Sequence, residues 1–441
     1  MCYLSVILLA KEASHMAIDL SIEFCGIKFN NPFLLASTPA TRSARWKDIA
    51  TAGWAGGFTW GNSSATNNLA ARFYLPPELP RIKKGPSLWS CQHSIACREL
   101  PHDEQQKGSI LNPEEIGYLV REAKKSGLPV GANLIFSTDP DQWVQGAKAA
   151  EQGSADMLEL NLSCPYRGYP PLGVYLSKDL SKAAEIVKAV RGSSDLPIIA
   201  KLHAWRLPAE LKQLAETVVR AGADAISITN MFDGLVGVDI ETGVPVDTAM
   251  DTDGIIRAHI MGFSGPATKP LGLMAVAEIR SAVDVPIMGI GGIATWRSAV
   301  EYMMLGAGLV QVGMAAMLFG YSLVHDMIKG LQEFMERKGY QNPSDFIGIA
   351  HKRVPVAGVY GMIFRTMDVP FSKVVNEELC NGCGLCVGGC LASANGAIQV
   401  RDGIAQIDQA MCTRCNVCQI VCPTGAIRTE CHNMLHTLKF R

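Results

Sequence analysis

Eight cysteines stand between positions 380 and 422 in two runs of identical spacing, Cys380-x2-Cys383-x2-Cys386-x3-Cys390 and Cys412-x2-Cys415-x2-Cys418-x3-Cys422-Pro423. Such crowding suits metal rather than disulfides. Three closely spaced thiolates grip three irons of a cubane, and the fourth cysteine of each run reaches across to the other cluster. The spacing therefore predicts two [4Fe-4S] clusters. Cys380, Cys383, Cys386 and Cys422 would hold one, and Cys412, Cys415, Cys418 and Cys390 the other. A pair of zinc sites is the competing reading, and the same x2, x2, x3 interval written twice disfavours it. Leu391, where a proline would complete the first run, is the one departure. Soft thiolates keep iron redox active, so this segment is expected to move electrons singly.

Upstream, from about residue 30 to 320, short apolar runs alternate with longer helical patterns, the signature of repeated βα units. The runs are Phe33–Ser37, Gly57–Gly61, Val130–Phe136, Met157–Ser163, Ile198–Ala204, Ala225–Asn230, Ile287–Gly292 and Leu309–Gly313. Eight of them predict an α/β fold, a (β/α)8 TIM barrel, with a C-terminal two-cluster ferredoxin-like domain. Asn161, Ser163, Lys201 and Asn230 fall at the C-terminal ends of runs, where barrels of this kind do chemistry. Inserts at 62–112 and 231–270 are expected to hang over that face. The expected organisation is an extension at 1–15, a barrel at 16–335, a helical segment and linker at 336–371, with Lys352 to Pro370 as a docking linker, and the cluster domain at 372–441.

Forty Lys and Arg against 41 Asp and Glu leave a net charge of −1, so nothing advertises a nucleic-acid or anionic-membrane partner. The run Cys2 to Ala10 lacks a preceding basic flank and is too short to span a bilayer. A reducing cytoplasm follows as the expected location, and Met16 opens a more conventional start.

Gly289-Ile-Gly-Gly-Ile-Ala294 follows one run and opens a helix, and Gly306-Ala307 leads into Val310-Gln-Val-Gly313. Glycine at the seventh and eighth loops lets backbone N–H groups approach a phosphate. The first also fits a dinucleotide fingerprint, but Leu309 and Val310 stand where the acidic residue belongs. A cluster domain fused to a barrel needs a group that converts single electrons into hydride chemistry, and flavin mononucleotide does so.

These motifs together carry a resemblance. Gly53-Trp54, Glu159-Leu-Asn-Leu-Ser-Cys-Pro165, Ala200-Lys-Leu202, Thr229-Asn230, Gly234-Leu-Val-Gly237, Ser264-Gly265, Pro270 and the glycine motifs are similar to the dihydroorotate dehydrogenase-like family of FMN barrels. Within it they resemble the catalytic half of dihydropyrimidine dehydrogenases with its C-terminal ferredoxin domain, from about Met16 onward. The resemblance implies that Cys164 donates a proton to one face of a C=C bond while flavin N5 delivers hydride. A thiol of ordinary pKa near 8.5 stays protonated at neutral pH and can act so. It implies that Lys201 places positive charge near flavin N1 and O2. Ala36, Ser37, Asn161, Thr229, Asn230, Gly265, Gly291, Gly292, Gly313 and Met314 would bind the flavin, and Asn133, Asn161, Asn230 and Met231 the substrate.

Three departures cluster around the substrate. Gly57-Phe-Thr-Trp60 puts an indole where the family has a lysine, Met231 replaces a threonine, and the lid 165–175 is proline-rich and aromatic rather than glycine-rich. Lost polar contacts signal a changed ligand, which places uracil and thymine in question. His203 is read as packed or solvated rather than protonating, and Cys91, His93, Cys97 and His102 are expected to bind no metal. The expected activity is FMN-dependent reduction or oxidation of a ring C=C or CH–CH bond. The alternatives are a different conjugated ring, enone or unsaturated acyl thioester on the same scaffold, weaker still dihydroorotate oxidation, or a non-catalytic electron-transfer subunit. Electrons would come from an FAD and NAD(P)H-binding partner subunit or a free ferredoxin, and an oligomer is expected.

Overall fold

The computed structural model describes residues 18–38, 41, 45–59, 71–74, 94–97, 113–163, 174–204, 208–234, 238, 240–243, 248–250, 256–258, 261–354, 371–392, 396–413 and 415–431. Cys164, Trp60, residues 165–173, Trp205, Cys91, His93, His102, the extension 1–15 and the segment 355–370 lie outside them. The described residues divide into two compact units, one up to residue 354 and the other from 371.

In the first unit eight parallel strands close into a barrel. They are β1 (Phe33–Leu35), β2 (Gly56–Thr59), β3 (Val130–Leu134), β4 (Met157–Asn161), β5 (Ile198–Leu202), β6 (Ala225–Ile228), β7 (Ile287–Ile290) and β8 (Leu309–Val312). Each coincides with one of the eight apolar runs, because strands covered on both faces must be apolar almost throughout. All eight are buried along their whole length. The helices between them, α1 (Trp46–Thr51), α2 (Pro113–Lys124), α3 (Pro140–Gln152), α4 (Leu180–Arg191), α5 (Pro208–Arg220), α6 (Lys269–Ala282), α7 (Trp296–Met304) and α8 (Leu323–Lys338), form the outer layer. Asp139 caps α3 and Asp179 caps α4 by accepting backbone N–H groups of the first turn, which would otherwise be unpaired.

The N-terminal end of the barrel is closed by a hairpin, Ile22–Phe24 against Ile27–Phe29. Phe24 sits against Gly308 and Phe29 against Gly56, at the starts of β8 and β2. The opposite end carries the two inserts, and they meet. Met261–Ser264 pairs antiparallel with Phe232–Gly234 and with Ser94–Cys97, which pairs in turn with Ala71–Tyr74. One four-stranded sheet thus joins the insert after β2 to the insert after β6. After α8 the chain stays on the barrel. Gly348 and Ala350 donate backbone hydrogen bonds to Met303 and Met304, and Phe346 is fully buried.

The second unit is built on the cysteine runs. Phe371–Val375 pairs antiparallel with Ile427–Cys431, and Ile398–Arg401 with Ile404–Ile407. Two short helices, Leu385–Ala392 and Val417–Val421, follow the first cysteines of each run. They approach at Gly389, where a Cβ would lie 3.0 Å from Val417. Cys386, Cys390 and Cys418 belong to its small core with Ile398 and Ile427. Among the described residues no helix is long and apolar enough to cross a membrane.

A close approach in the barrel gives a stability test. A Cβ at Gly272 of α6 would lie 2.9 Å from the carbonyl of Ile290 and collide with the Tyr302 hydroxyl of α7. Gly272→Ala is expected to lower unfolding stability by about 1–3 kcal/mol, the usual range for overpacking. Denaturant unfolding checks this, and an unchanged midpoint would contradict the packing described.

Candidate functional site

A strand buried on both faces has no room for an unpaired charge, yet β4 carries Glu159 at its middle, fully buried. Its carboxylate is satisfied from four other strands. Asn133 Nδ2 of β3 donates to Oε2 at 2.5 Å, and Lys201 Nζ of β5 at 3.1 Å. Ser227 Oγ of β6 donates to Oε1 at 2.8 Å, and Gln311 Nε2 of β8 at 2.7 Å. Glu159 and Lys201 form a buried ion pair in the barrel interior. Lys201 has three N–H donors and is 4% exposed. One goes to Glu159, and the described residues supply no further acceptor.

Two residues further along β4 the polar layer reaches the mouth. Asn230 Nδ2 donates to Asn161 Oδ1 at 3.0 Å and to Ser163 Oγ at 3.1 Å, while its Oδ1 accepts the Met231 backbone N–H. Ser163 Oγ donates to Asn161 Oδ1 at 3.2 Å. The ends of β4 and β6 are therefore tied together by side chains, directly before position 164. Thr229 Oγ1 accepts the Ala204 N–H, bracing the end of β5 against β6. His203 is buried. Its Nε2 lies 2.5 Å from the Met231 carbonyl, and since a carbonyl only accepts, Nε2 carries the proton. The ring meets Phe232 edge-on at 4.9 Å, so this histidine is held in packing.

On the other side of the mouth three glycine positions converge. Gly291 and Gly292 have φ of 117° and 64°, and Gly265 has 111°, a region that favours glycine. A Cβ at Gly292 would lie 2.9 Å from the Gly265 carbonyl, and one at Gly291 would lie 3.4 Å from Thr229 and 3.5 Å from Thr268. Tyr302 of α7 donates to the Gly291 carbonyl at 2.7 Å and to that of Ile290 at 3.1 Å, anchoring the loop from below. Gly313 opens the short helix Met314–Phe319 and lies 3.2 Å, measured from a built Cβ, from Thr38 and 3.6 Å from Ala36. Ala36 itself donates its N–H to the Val312 carbonyl.

The sequence motifs are thus placed as follows. Asn161 and Asn230 come together, as do Gly265, Gly291 and Gly292, and Gly313 with Ala36. Ser37 and Met314 are half-buried beside that last group, and Met231 follows Asn230 with its backbone held at both ends. Asn133 lies deeper, with its amide on Glu159. Sequence reasoning gave no role to Glu159, Ser227, Gln311, Thr268 or Tyr302. A carboxylate inside the apolar run Met157–Ser163 was the available signal.

In the cysteine-rich unit, Cys380, Cys383, Cys386 and Cys422 line one hollow, with Val400, Ala405 and Ile427. Cys390, Cys412, Cys415 and Cys418 line a second, with Lys373 and Ile398. The Ala405 N–H points to Cys380 Sγ at 3.4 Å and the Ala397 N–H to Cys390 Sγ at 3.2 Å.

A buried ammonium with unspent donors in the barrel interior and, at the same barrel's mouth, a backbone cradle that a Cβ would fill fit an anionic, ring-bearing cofactor, and all-thiolate hollows fit iron and sulfide. Fold and site together define a flavin- and iron–sulfur-dependent oxidoreductase acting on CH–CH groups. The dihydroorotate dehydrogenase family model matches residues 104–335, and the 4Fe-4S binding domain matches residues 405–428. The chain is 28% identical, over 93% of its length and 95% of the relative's, to the NAD-dependent dihydropyrimidine dehydrogenase subunit PreA of Escherichia coli. It is 31% identical, over 76% of its length and 99% of the relative's, to the catalytic subunit of dihydroorotate dehydrogenase B (NAD(+)) of Pyrococcus abyssi. The chain belongs to the dihydroorotate dehydrogenase family. FMN and a [4Fe-4S] cluster are the groups this membership and the C-terminal match imply.

Glu159→Gln removes the only carboxylate that the described residues place on Lys201 and leaves a buried cation. It is expected to cost about 3–5 kcal/mol of stability, as breaking a buried pair does. Chemical denaturation measures it, and a loss under 1 kcal/mol would mean that Lys201 finds its counter-charge elsewhere.

Proposed function

We propose that this chain is the catalytic subunit of a dihydropyrimidine dehydrogenase-like enzyme that reduces or oxidises a ring C=C or CH–CH bond. The carrying observation is the side-chain bridge Asn161–Ser163–Asn230, which fixes the C-terminal end of β4 immediately before Cys164. FMN, when bound, supplies hydride at N5 and exchanges electrons one at a time with iron–sulfur centres. Lys201, paired with Glu159, would supply positive charge toward the flavin N1 and O2 edge. Gly265, Gly291, Gly292, Gly313 and Met314 hold the phosphate, with Ala36, Ser37 and Thr229 along the flavin. Asn161 and Asn230 orient the substrate ring, with Met231 beside it. Cys164 gives its proton to the carbon adjacent to the one that receives hydride, so that two hydrogens add across the double bond; the oxidation runs in reverse.

Two [4Fe-4S] clusters complete the relay. One is held by Cys380, Cys383, Cys386 and Cys422, the other by Cys390, Cys412, Cys415 and Cys418. The grouping of the cysteines around two hollows supports this division. Electrons are exchanged with an FAD and NAD(P)H-binding partner subunit, in keeping with a relative whose name makes it a subunit of an NAD-dependent enzyme. The proposed organisation keeps the barrel and the cluster domain at 372–441 as separate folding units in one chain.

Anaerobic reoxidation of the reduced flavin by uracil and thymine, beside cyclic enones and unsaturated acyl thioesters, tests the substrate. Rapid reoxidation by a pyrimidine is the outcome that the dihydropyrimidine dehydrogenase-like reading requires, and it would make Trp60, Met231 and the lid tolerated variations. If pyrimidines fail and another member of the panel reacts, the pyrimidine assignment falls and Trp60, Met231 and the lid become the determinants of a different unsaturated substrate. Cys164→Ser is expected to retain flavin absorbance and lose at least about a hundredfold in turnover, the range of general acid catalysis; unaltered turnover would remove Cys164 from the chemistry. Gly292→Ala, with its Cβ pressed against the Gly265 carbonyl, is expected to purify with little flavin, and stoichiometric FMN in that variant would move the phosphate elsewhere.

A further inference from the structure

Lys373, on the strand Phe371–Val375, is 2% exposed. Its Nζ donates to Gln419 Oε1 at 2.9 Å and, more closely, to Asn416 Oδ1 and Thr429 Oγ1. All three partners are neutral, and no carboxylate among the described residues pairs with it. A buried ammonium is costly without an opposing charge. The same side chain lines the hollow of Cys390, Cys412, Cys415 and Cys418. Four thiolates around an iron–sulfur cubane leave a net negative charge, and each added electron deepens it, so this hollow supplies the missing counter-charge.

Among the described residues the other hollow has no such neighbour. Its lining is Asn381, Thr424, glycines and apolar side chains beside its cysteines. Hydrogen bonds to sulfur do not favour the second hollow: each shows a backbone N–H on a ligand sulfur, Ala405 on Cys380 and Ala397 on Cys390, and the first adds the Thr424 hydroxyl 3.5 Å from Cys422 Sγ and backbone donors of the 424–427 turn. Arg428 and Glu430, on the strand paired with that of Lys373, neutralise each other at 2.6 Å. Among the described residues that line either hollow, Lys373 carries the one charged side chain besides the cysteines.

We propose that Lys373 raises the reduction potential of the cluster held by Cys390, Cys412, Cys415 and Cys418, so that this cluster is reduced before its neighbour. A fixed positive charge in a low-dielectric setting favours the more negative, reduced state. The electron comes from the reduced flavin or, in vitro, from dithionite; the cluster gains it, no bond breaks, and no proton is transferred to Lys373. Lys373 is a positioning residue for charge. The inference rests on the two-cluster reading, which an iron count of about eight per chain tests separately.

The experiment is an anaerobic redox titration of the full-length, cluster-replete protein with dithionite and mediators, followed by EPR. Lys373→Gln is expected to lower the higher of the two midpoints by about 59 mV or more, a tenfold weaker one-electron reduction, with a smaller change at the lower one. Lys373→Arg retains the charge and is expected to stay near the unsubstituted value. Should Lys373→Gln lose iron, Gln419→Glu supplies a carboxylate to the lysine from an exposed helix position and is expected to move the same midpoint downward. Unmoved midpoints in an iron-replete Lys373→Gln, an arginine variant that falls as far as the glutamine one, or an unmoved Gln419→Glu where it must decide, each overturn the proposal. About four irons per chain would instead remove the two-cluster reading beneath it.

Discussion

The buried carboxylate of Glu159 is the constraint on which the barrel's functional half depends. It sits where only a paired charge is tolerable, and it draws Asn133, Lys201, Ser227 and Gln311 inward from four other strands. Five of the eight strands thereby meet in one hydrogen-bonded layer. The carboxylate at the centre of this network is fully satisfied, which favours one register, since a strand slipped by one residue would turn its donor away from the interior; Gln311 Oε1 and the remaining Lys201 donors are left without partners among the described residues. Its yield to function is the position of Lys201, whose remaining donors are available to a bound group.

Above that layer the chain alternates rigid attachment with open backbone. Asn161, Ser163 and Asn230 clamp β4 to β6, while Tyr302 braces the glycine loop from α7. The glycines leave the backbone bare where a side chain would block approach. The inserts after β2 and β6 belong to one sheet, so segments from distant strands act together at that end of the barrel. In the second unit the same economy holds on a smaller scale. Its core is made partly of the cysteines themselves, so cluster assembly and folding are coupled there.

Much of this was legible in the amino-acid order. All eight strands coincide with apolar runs because burial on two faces leaves a near-continuous pattern, and three cysteines of each hollow follow from their close spacing, while the fourth comes from the other run. Gly291 and Gly292 are identifiable because the positive φ of their loop and the close approach of neighbouring backbone favour glycine. The role of Glu159 was hidden: a lone acid in a strand reads as an interruption until its partners, 26 to 152 residues away, are seen to converge. Asn133 shows the reverse case, since a polar residue on a strand suggests a ligand contact and the fold directs its amide to Glu159. The inserts lacked the regular period of the barrel, so their shared sheet had no local signature.

The sequence by itself determined the class of fold, the iron–sulfur chemistry of the C-terminal segment and the placing of polar residues at strand ends, because each depends on local period or short-range spacing. Only the tertiary structure decided which polar groups meet. Glu159 with Lys201, Asn161 with Asn230, and Lys373 with the cysteines of the second hollow are separated by tens of residues or more in most of their pairings. Their proximity is set by barrel closure and strand pairing, which depend on the packing of the whole unit rather than on any one segment. A buried charge finds its partner only there, and with it the electrostatics that the chemistry uses.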